Sequence, residues 1–288
     1  MSYNHITGQI KSRVDGLNLF YQGWVAEKSL LSKSIIIQHG VGEHSGRYMN
    51  VVRAFENTGY SFFMLDARGH GKSEGKRGWL VSFDEYVQDL DTFVDFITKK
   101  YNLLKPVLLG HSMGAGIAVA YCLDPVRSAK LRGLVANASP FAVNLTFGMR
   151  VKLALAKFIS LFFPHIALPS GLKPKNISRD LEVVKAYKND PLNSGVMSYG
   201  LAREILNSSK ASLENASKLN LPVLFTHGSA DNISDCKGSQ KIYEAAGNPD
   251  KPIHKTIKIY DGFYHEIYND TGKEEPLGDL RKWVLENR

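Results

Sequence analysis

The sequence predicts an α/β fold, in which a mostly parallel β-sheet is flanked by helices and carries a helical cap insertion. Three observations predict it. Short β-branched and aromatic runs alternate with segments of helical periodicity, 43% of the 288 residues are hydrophobic, and one long interval interrupts the alternation. A composition this apolar excludes a disordered or fibrous chain, because such chains bury too little apolar surface to offset the entropy of ordering.

Six apolar runs predict buried parallel strands. Each has the length of a short strand, and five of the six are followed by a glycine within four residues. In chain order they are residues 34–38, 60–65, 106–109, 131–135, 221–225 and 256–260. Parallel strands end at one edge of a sheet, so we expect the residues that follow these runs to share a site.

Helical periodicity predicts helices between the strands and a further helical region, the cap. The clearest helix covers residues 83–97, and a short one covers residues 277–284. From 141 to 211 no run predicts a strand, and prolines interrupt an apolar helical pattern. Because this interval is too long for a simple connection, we expect a helical cap at 141–211. The sheet domain would then comprise residues 1–140 and 212–288.

Charge and cysteine content indicate the cellular compartment of the protein and the kinds of partner that it can bind. The net charge is +8, but the basic residues are scattered and no nucleic-acid-binding motif is present, so we expect no nucleic-acid partner. Two cysteines and the lack of a signal-peptide pattern favour the cytoplasm. No His or Cys pair has the spacing of a zinc site, and no nucleotide fingerprint follows a strand. We therefore expect no metal and no cofactor, whereas the oligomeric state stays open.

The segment Gly110-His-Ser-Met-Gly114 carries the sharpest chemical signal. It follows an apolar strand and precedes a helical segment, which is the context of a nucleophile elbow. The two glycines allow a sharp turn that exposes the hydroxyl of Ser112. A glycine-rich turn with an ordinary serine is the alternative.

A serine hydroxyl needs a base, and the base needs an orienting acid. With a nucleophile elbow the chain order is Ser, acid, His. Among nine histidines, His265 fits both that order and a position just past the last predicted strand. Asp231 comes first after the fifth predicted strand and is our candidate acid, with Asp235 as a near rival.

Acyl transfer also requires hydrogen-bond donors aimed at the developing oxyanion. We expect one donor to be the backbone N–H of Met113, directly after the nucleophile. The second is expected to be the N–H of Val41, in the glycine-containing loop 39–42. A glycine-rich turn without this role is the alternative for the loop.

Together these segments resemble the monoacylglycerol lipase and lysophospholipase family of the α/β-hydrolase superfamily. The matching segments span nearly the whole chain and are residues 39–48, 66–73, 110–114, 187–192, 228–231 and 264–265. The resemblance implies the α/β-hydrolase fold, and it implies the same triad, Ser112, Asp231 and His265. It also implies a serine ester hydrolase that acts on a small-molecule lipid ester.

The resemblance further implies an acyl-chain tunnel under the cap and a polar pocket for the alcohol. Apolar cap residues at helical spacing are the candidate tunnel lining: Phe147, Val151, Leu155, Phe158 and Ile159. Packing against the sheet domain, or transient docking on a membrane surface, would use the same face. By resemblance, Glu43, Arg47 and Tyr187 border the polar pocket.

Monoacylglycerols are the substrates we expect. A lysophospholipase, a short-chain esterase and a thioesterase would use the same triad and are the alternatives within the enzyme class. Outside that class, an inactive lipid-binding receptor with the hydrolase fold is the alternative, although the intact Ser, Asp and His count against it.

Overall fold

The computed structural model describes residues 3–27, 33–142 and 166–287. Its strands are β1 Tyr3–Lys11, β2 Asn18–Ala26, β3 Ser34–Gln38, β4 Ser61–Leu65, β5 Val107–His111, β6 Gly133–Asn137, β7 Ala167–Pro169, β8 Val196–Ser198, β9 Val223–Gly228 and β10 Lys255–Tyr260. Eight of them form a central sheet in the order β1-β2-β4-β3-β5-β6-β9-β10. From β4 to β10 all neighbours are parallel, so the predicted α/β sheet is confirmed.

Helices cover both faces of this sheet and create two apolar cores. They are α1 Met49–Ala54, α2 Asp84–Tyr101, α3 Met113–Cys122, α4 Pro125–Ser128, α5 Leu181–Asn189, α6 Tyr199–Glu214, α7 Cys236–Ala245 and α8 Glu274–Glu286. Successive strand residues point to opposite faces. Accordingly, Ile36 lies in the core that includes α2 and α3, while Ile35 and Ile37 lie in the core that includes α1 and α8. Each such buried aliphatic side chain contributes roughly 1.5–3 kcal/mol.

The N-terminal part of the sheet differs from the sequence prediction. β1 and β2 form an antiparallel hairpin, and β2 pairs antiparallel with β4. His5 lies in β1 and stacks on Trp24 with 4.8 Å between the ring centroids. The prediction missed β1 because its residues are mostly polar and exposed, so the strand has no apolar run.

Residues 166–211 of the predicted cap contain two strands that were not expected. β7 and β8 are only three residues long and pair antiparallel, too short to give a periodic signal. α6 runs across the predicted boundary at residue 212, and its Leu201 is buried in the core with α2 and α3. The division into 1–140, 141–211 and 212–288 stays a prediction.

The carboxyl ends of the parallel strands meet at one edge of the sheet, where the candidate functional residues are found. β3, β5, β9 and β10 each end there and lead into a loop that carries such a residue. Among the described residues, none of the helices combines the length and the apolar character required to cross a bilayer.

Candidate active site

Ser112 occupies the turn between β5 and α3. Its backbone has φ 54° and ψ −122°, a conformation that costs a residue with a side chain of order 1–3 kcal/mol. A Cβ on Gly110 would overlap the carbonyl oxygen of Gly114, and a Cβ on Gly114 would overlap that of Gln38. The Ser112 N–H donates to the carbonyl oxygen of Asn137 at 2.9 Å. The turn therefore has the strand, glycines and helix that a nucleophile elbow requires.

Asp231 and its rival Asp235 lie close together after β9 but have different partners. Asp235 caps α7, since its carboxylate accepts from the N–H of Lys237 at 2.9 Å. Asp231 is buried, and its Oδ2 accepts from Nδ1 of His265 at 2.6 Å. Its Oδ1 accepts from two backbone N–H groups of the same turn, at 2.7 and 3.1 Å. The geometry thus pairs the imidazole with Asp231 and gives Asp235 a capping role.

His265 reaches Asp231 because the loops after β9 and β10 approach closely. Gly228, the last residue of β9, permits the approach, since a Cβ there would overlap the carbonyl oxygens of Phe263 and Tyr264. The N–H of Ala230 donates to the carbonyl oxygen of Phe263 at 3.0 Å. These contacts fix the two loops relative to each other.

Burial and the neighbouring charges shift the pKa values of His265 and Asp231 in opposite directions. Burial would lower the pKa of His265, but the adjacent Asp231 carboxylate outweighs it and the pKa is raised. For Asp231, burial would raise the pKa, but the imidazoles of His265 and His227 bring it well below the usual range. The pair therefore combines an imidazole that readily takes a proton with a carboxylate that stays ionised.

Ser112 and His265 line one cavity at the carboxyl edge of the sheet. The loop after β3 contributes Gly40 and Val41 to the same cavity. Met113 is the first residue of α3, so its N–H has no acceptor within the helix and lies at the positive end of the helix dipole. The structure brings the candidate nucleophile and base together with both predicted oxyanion donors, whose roles stay predictions.

The loop with Val41 is held by a buried histidine. Nδ1 of His39 donates to the carbonyl oxygen of Gly40 at 2.7 Å, and its Nε2 accepts from the N–H of Ala67 at 2.9 Å. Burial lowers the pKa of His39, so the ring is neutral and keeps this tautomer. The N–H of Gly40 donates to Oε1 of Glu43 at 2.7 Å. His39 therefore supports the loop and is not positioned as a base.

A cluster of charged groups borders the cavity, and two of its members were predicted by resemblance. Arg47 donates to Glu43 at 2.9 Å and to both carboxylate oxygens of Glu266, at 2.6 and 2.8 Å. Its guanidinium lies 4.7 Å from the ring centroid of Tyr187. Burial would raise the pKa of Glu43, but Arg47 and nearby groups lower it to about 2. Two carboxylates thus share one guanidinium, which leaves the cluster negatively charged.

His111, the residue before the candidate nucleophile, also lines the cavity. Its ring centroid lies 4.8 Å from that of His265, and its Nδ1 accepts from the amide of Asn137 at 2.9 Å. Burial is the main cause that lowers the pKa of His111 to about 3. His111 is therefore neutral at physiological pH.

The predicted tunnel residues lie outside the described residues; they are Phe147, Val151, Leu155, Phe158 and Ile159. Three residues that contact the candidate site residues were not predicted from the sequence: Glu266, His227 and Ser234. Glu266 directly follows His265 in the sequence, so its position near the site could have been predicted. His227 and Ser234 become neighbours of Asp231 only through the turn after β9, which no motif indicates.

Comparison with known proteins identifies the family. The profile of the serine aminopeptidase S33 family matches residues 31–272. The monoacylglycerol lipase of Mycolicibacterium smegmatis is 33% identical over 274 residues, which cover 94% of each chain. The chain belongs to the monoacylglycerol lipase family.

Two further relatives agree with this assignment. The monoglyceride lipase of Homo sapiens is 33% identical over 276 residues, which cover 94% of this chain and 88% of the human one. The crystal structure of Paleococcus ferrophilus monoacylglycerol lipase superposes with a TM-score of 0.78 and is 29% identical, with 100% of both chains covered. The family resemblance and the α/β-hydrolase fold predicted from the sequence are thus confirmed.

Proposed function

We propose that the protein hydrolyses the ester bond of monoacylglycerol-like single-chain lipids through an acyl-enzyme on Ser112. The observation that carries the proposal is the 2.6 Å hydrogen bond between Asp231 and His265, beside a strained serine that lines the same cavity as His265. The family membership supports the same activity.

The reaction follows from the proton positions. Nδ1 of His265 carries a hydrogen for Asp231, so its Nε2 is free to take the proton of the Ser112 hydroxyl as that oxygen attacks the ester carbonyl. The N–H groups of Val41 and Met113 stabilise the tetrahedral oxyanion. His265 then protonates the departing alcohol oxygen, and a water molecule repeats the sequence on the acyl-enzyme, which releases the fatty acid.

The charge around the cavity favours a neutral alcohol over a phosphate-bearing one. Arg47 is already bound by Glu43 and Glu266, so its guanidinium is not available to an anion. The excess carboxylate repels a phosphate or a thioester carrier with phosphates, whereas glycerol hydroxyls can donate hydrogen bonds to it. This charge balance supports monoacylglycerol over lysophospholipid and acyl-CoA.

A transient contact of the cap with a membrane surface, by an otherwise cytoplasmic protein, belongs to the same proposal. The described part of the predicted cap exposes Leu181 and Ile166 together with the side chains of Lys173 and Lys185. Apolar groups flanked by cations suit an interface with anionic lipid. Sedimentation with phosphatidylserine and with phosphatidylcholine vesicles tests it. Binding to neither kind would contradict the proposed contact.

A substrate panel tests the proposed activity. It contains medium- and long-chain monoacylglycerols, the lysophosphatidylcholines and acyl-CoAs of matched chain length, and short p-nitrophenyl esters. We expect the highest kcat/KM for a monoacylglycerol. A preference for lysophospholipid, thioester or short ester would replace the substrate assignment with that activity. If no ester is cleaved and a fluorophosphonate does not label the protein, the hydrolase proposal fails and a binding protein is indicated.

A further inference from the structure

A second histidine contacts the candidate catalytic carboxylate. His227 lies in β9 and is completely buried. Its Nε2 lies 3.0 Å from Oδ2 of Asp231, the same oxygen that accepts from His265. One carboxylate oxygen is thus shared by two imidazoles, and the catalytic sequence proposed above uses only one of them.

The partners of His227 determine where its hydrogen lies. Besides the carboxylate, Nε2 faces the hydroxyl and the carbonyl oxygen of Ser234, at 3.2 and 3.4 Å. A carboxylate and a carbonyl can only accept, so Nε2 carries the hydrogen. Nδ1 lies 2.8 Å from Oγ of Ser239, a buried residue of α7 whose hydroxyl can donate to it. β9 and α7 therefore hold this imidazole in one orientation.

We propose that His227 is a positioning residue for ester hydrolysis, which holds the Asp231 carboxylate in line with His265 and limits its basicity by donating a hydrogen bond to Oδ2. The inference rests on the proposed function. It concerns a residue that neither contacts the substrate nor belongs to the predicted triad.

The expected consequence is a change in the proton affinity of His265. A hydrogen bond to a charged group is stronger than one between neutral groups. The bond from His227 therefore withdraws negative charge from Oδ2 and weakens the attraction of Asp231 for the His265 imidazolium. Removal of the Nε2 donor leaves more negative charge on Oδ2, so the pKa of His265 rises further. Other groups also act on this imidazole and stay unchanged in the test: Glu43, Glu266, His111 and the hydroxyl of Ser234.

Two amide variants separate positioning from packing. In His227→Gln the side-chain nitrogen reaches the place of Nε2 and can donate to Asp231. In His227→Asn the amide is shorter and reaches only toward Ser239. The readout is the rate at which a fluorophosphonate labels Ser112 as a function of pH, with the thermal midpoint of each variant measured in parallel.

We expect the acid limb of the His227→Asn profile to move upward by about one pH unit relative to the unmodified protein. The acid limb of the His227→Gln profile should stay within about a third of a pH unit of that of the unmodified protein. If both variants lose thermal stability while both limbs stay in place, His227 has a purely structural role and the inference is wrong.

A measurement on the unmodified protein covers the case in which a variant does not fold. In ¹⁵N-labelled protein, the imidazole nitrogens of His227 should show a hydrogen on Nε2, and their shifts should follow the titration of His265. A hydrogen on Nδ1 alone, or shifts that ignore that titration, would overturn the inference. These shifts do not depend on turnover. Failure of the proposed function, seen as no labelling of the unmodified protein, is thus a separate outcome.

Discussion

Ser112 and His265 are the residues on which the proposed chemistry depends, and each is held in place by its neighbours. The serine is held at a positive φ by a hydrogen bond to Asn137. The imidazole is held by a carboxylate that burial and two histidines keep apart from solvent. Both residues could be predicted from motif and chain order. The second imidazole at Asp231 could not, because its contact depends on the turn after β9.

Replacement of the serine should remove activity and keep the fold. Ser112→Ala is expected to lower kcat on a monoacylglycerol by about 10⁶-fold, the loss seen when a serine nucleophile is removed from a protease. The thermal midpoint should not fall, because alanine is smaller and occupies the same turn. Activity within tenfold of the original would contradict the role of Ser112.

The pH profile of kcat/KM should have an acid limb above pH 6.5. The base must be neutral to accept the serine proton, and the Asp231 carboxylate raises the pKa of His265 above its ordinary value of 6.5. Activity therefore grows as pH rises through that pKa. In Asp231→Asn the limb should move to lower pH, and kcat should fall by about 10⁴-fold.

Asp235→Asn is the matched control, because Asp235 lies in the same loop but caps α7. The acid limb of the kcat/KM profile of this variant should coincide with that of the unmodified protein. A shift in Asp235→Asn, with none in Asp231→Asn, would reverse the assignment of the acid.

At the level of secondary structure, β5, the turn at Ser112 and α3 position the proposed nucleophile. Gly114 lies against β3, where a Cβ would overlap the carbonyl oxygens of Gln38 and His39. Five of the six predicted strands follow from apolar runs that are buried on both faces, whereas the run that predicts β10 is only partly buried. β1 was missed because a half-exposed polar strand has no such run, and β7 and β8 because three residues cannot show a period.

Gly114→Ala should therefore destabilise the protein. The backbone of β3 has to move, and overpacking of this kind typically costs about 1–3 kcal/mol of unfolding free energy. Gly278→Ala is the control: Gly278 lies in α8 with open space around it. Alanine there should stabilise the protein by about 0.5–1 kcal/mol. Equal effects of the two variants in urea unfolding would contradict the close approach of α3 to β3.

At the scale of the whole molecule, the sheet gathers loops from distant parts of the chain into one charged cavity. Arg47, in a 3₁₀ turn after β3, joins Glu266, which follows β10. Sequence order alone could not predict this ion pair, since the two residues are 219 positions apart. In the proposed function, this pair sets the sign of the charge that a substrate headgroup meets.

Removal of one carboxylate should relax the preference for a neutral alcohol. Glu266→Gln frees part of the Arg47 guanidinium, so the ratio of kcat/KM for lysophosphatidic acid to that for monoacylglycerol should rise about tenfold, the effect of one charge at a partly buried site. Glu286→Gln, at the exposed end of α8, is the control and should leave the ratio unchanged. A ratio unaffected by Glu266→Gln would show that this charge does not select the substrate.

The most direct measurement is the reaction of the protein with a fluorophosphonate, followed by mass mapping of the modified peptide. We expect one probe per chain, attached to the peptide that contains Ser112, and no reaction in Ser112→Ala. Attachment at a different side chain, or an unreactive folded protein at pH 8, would contradict it.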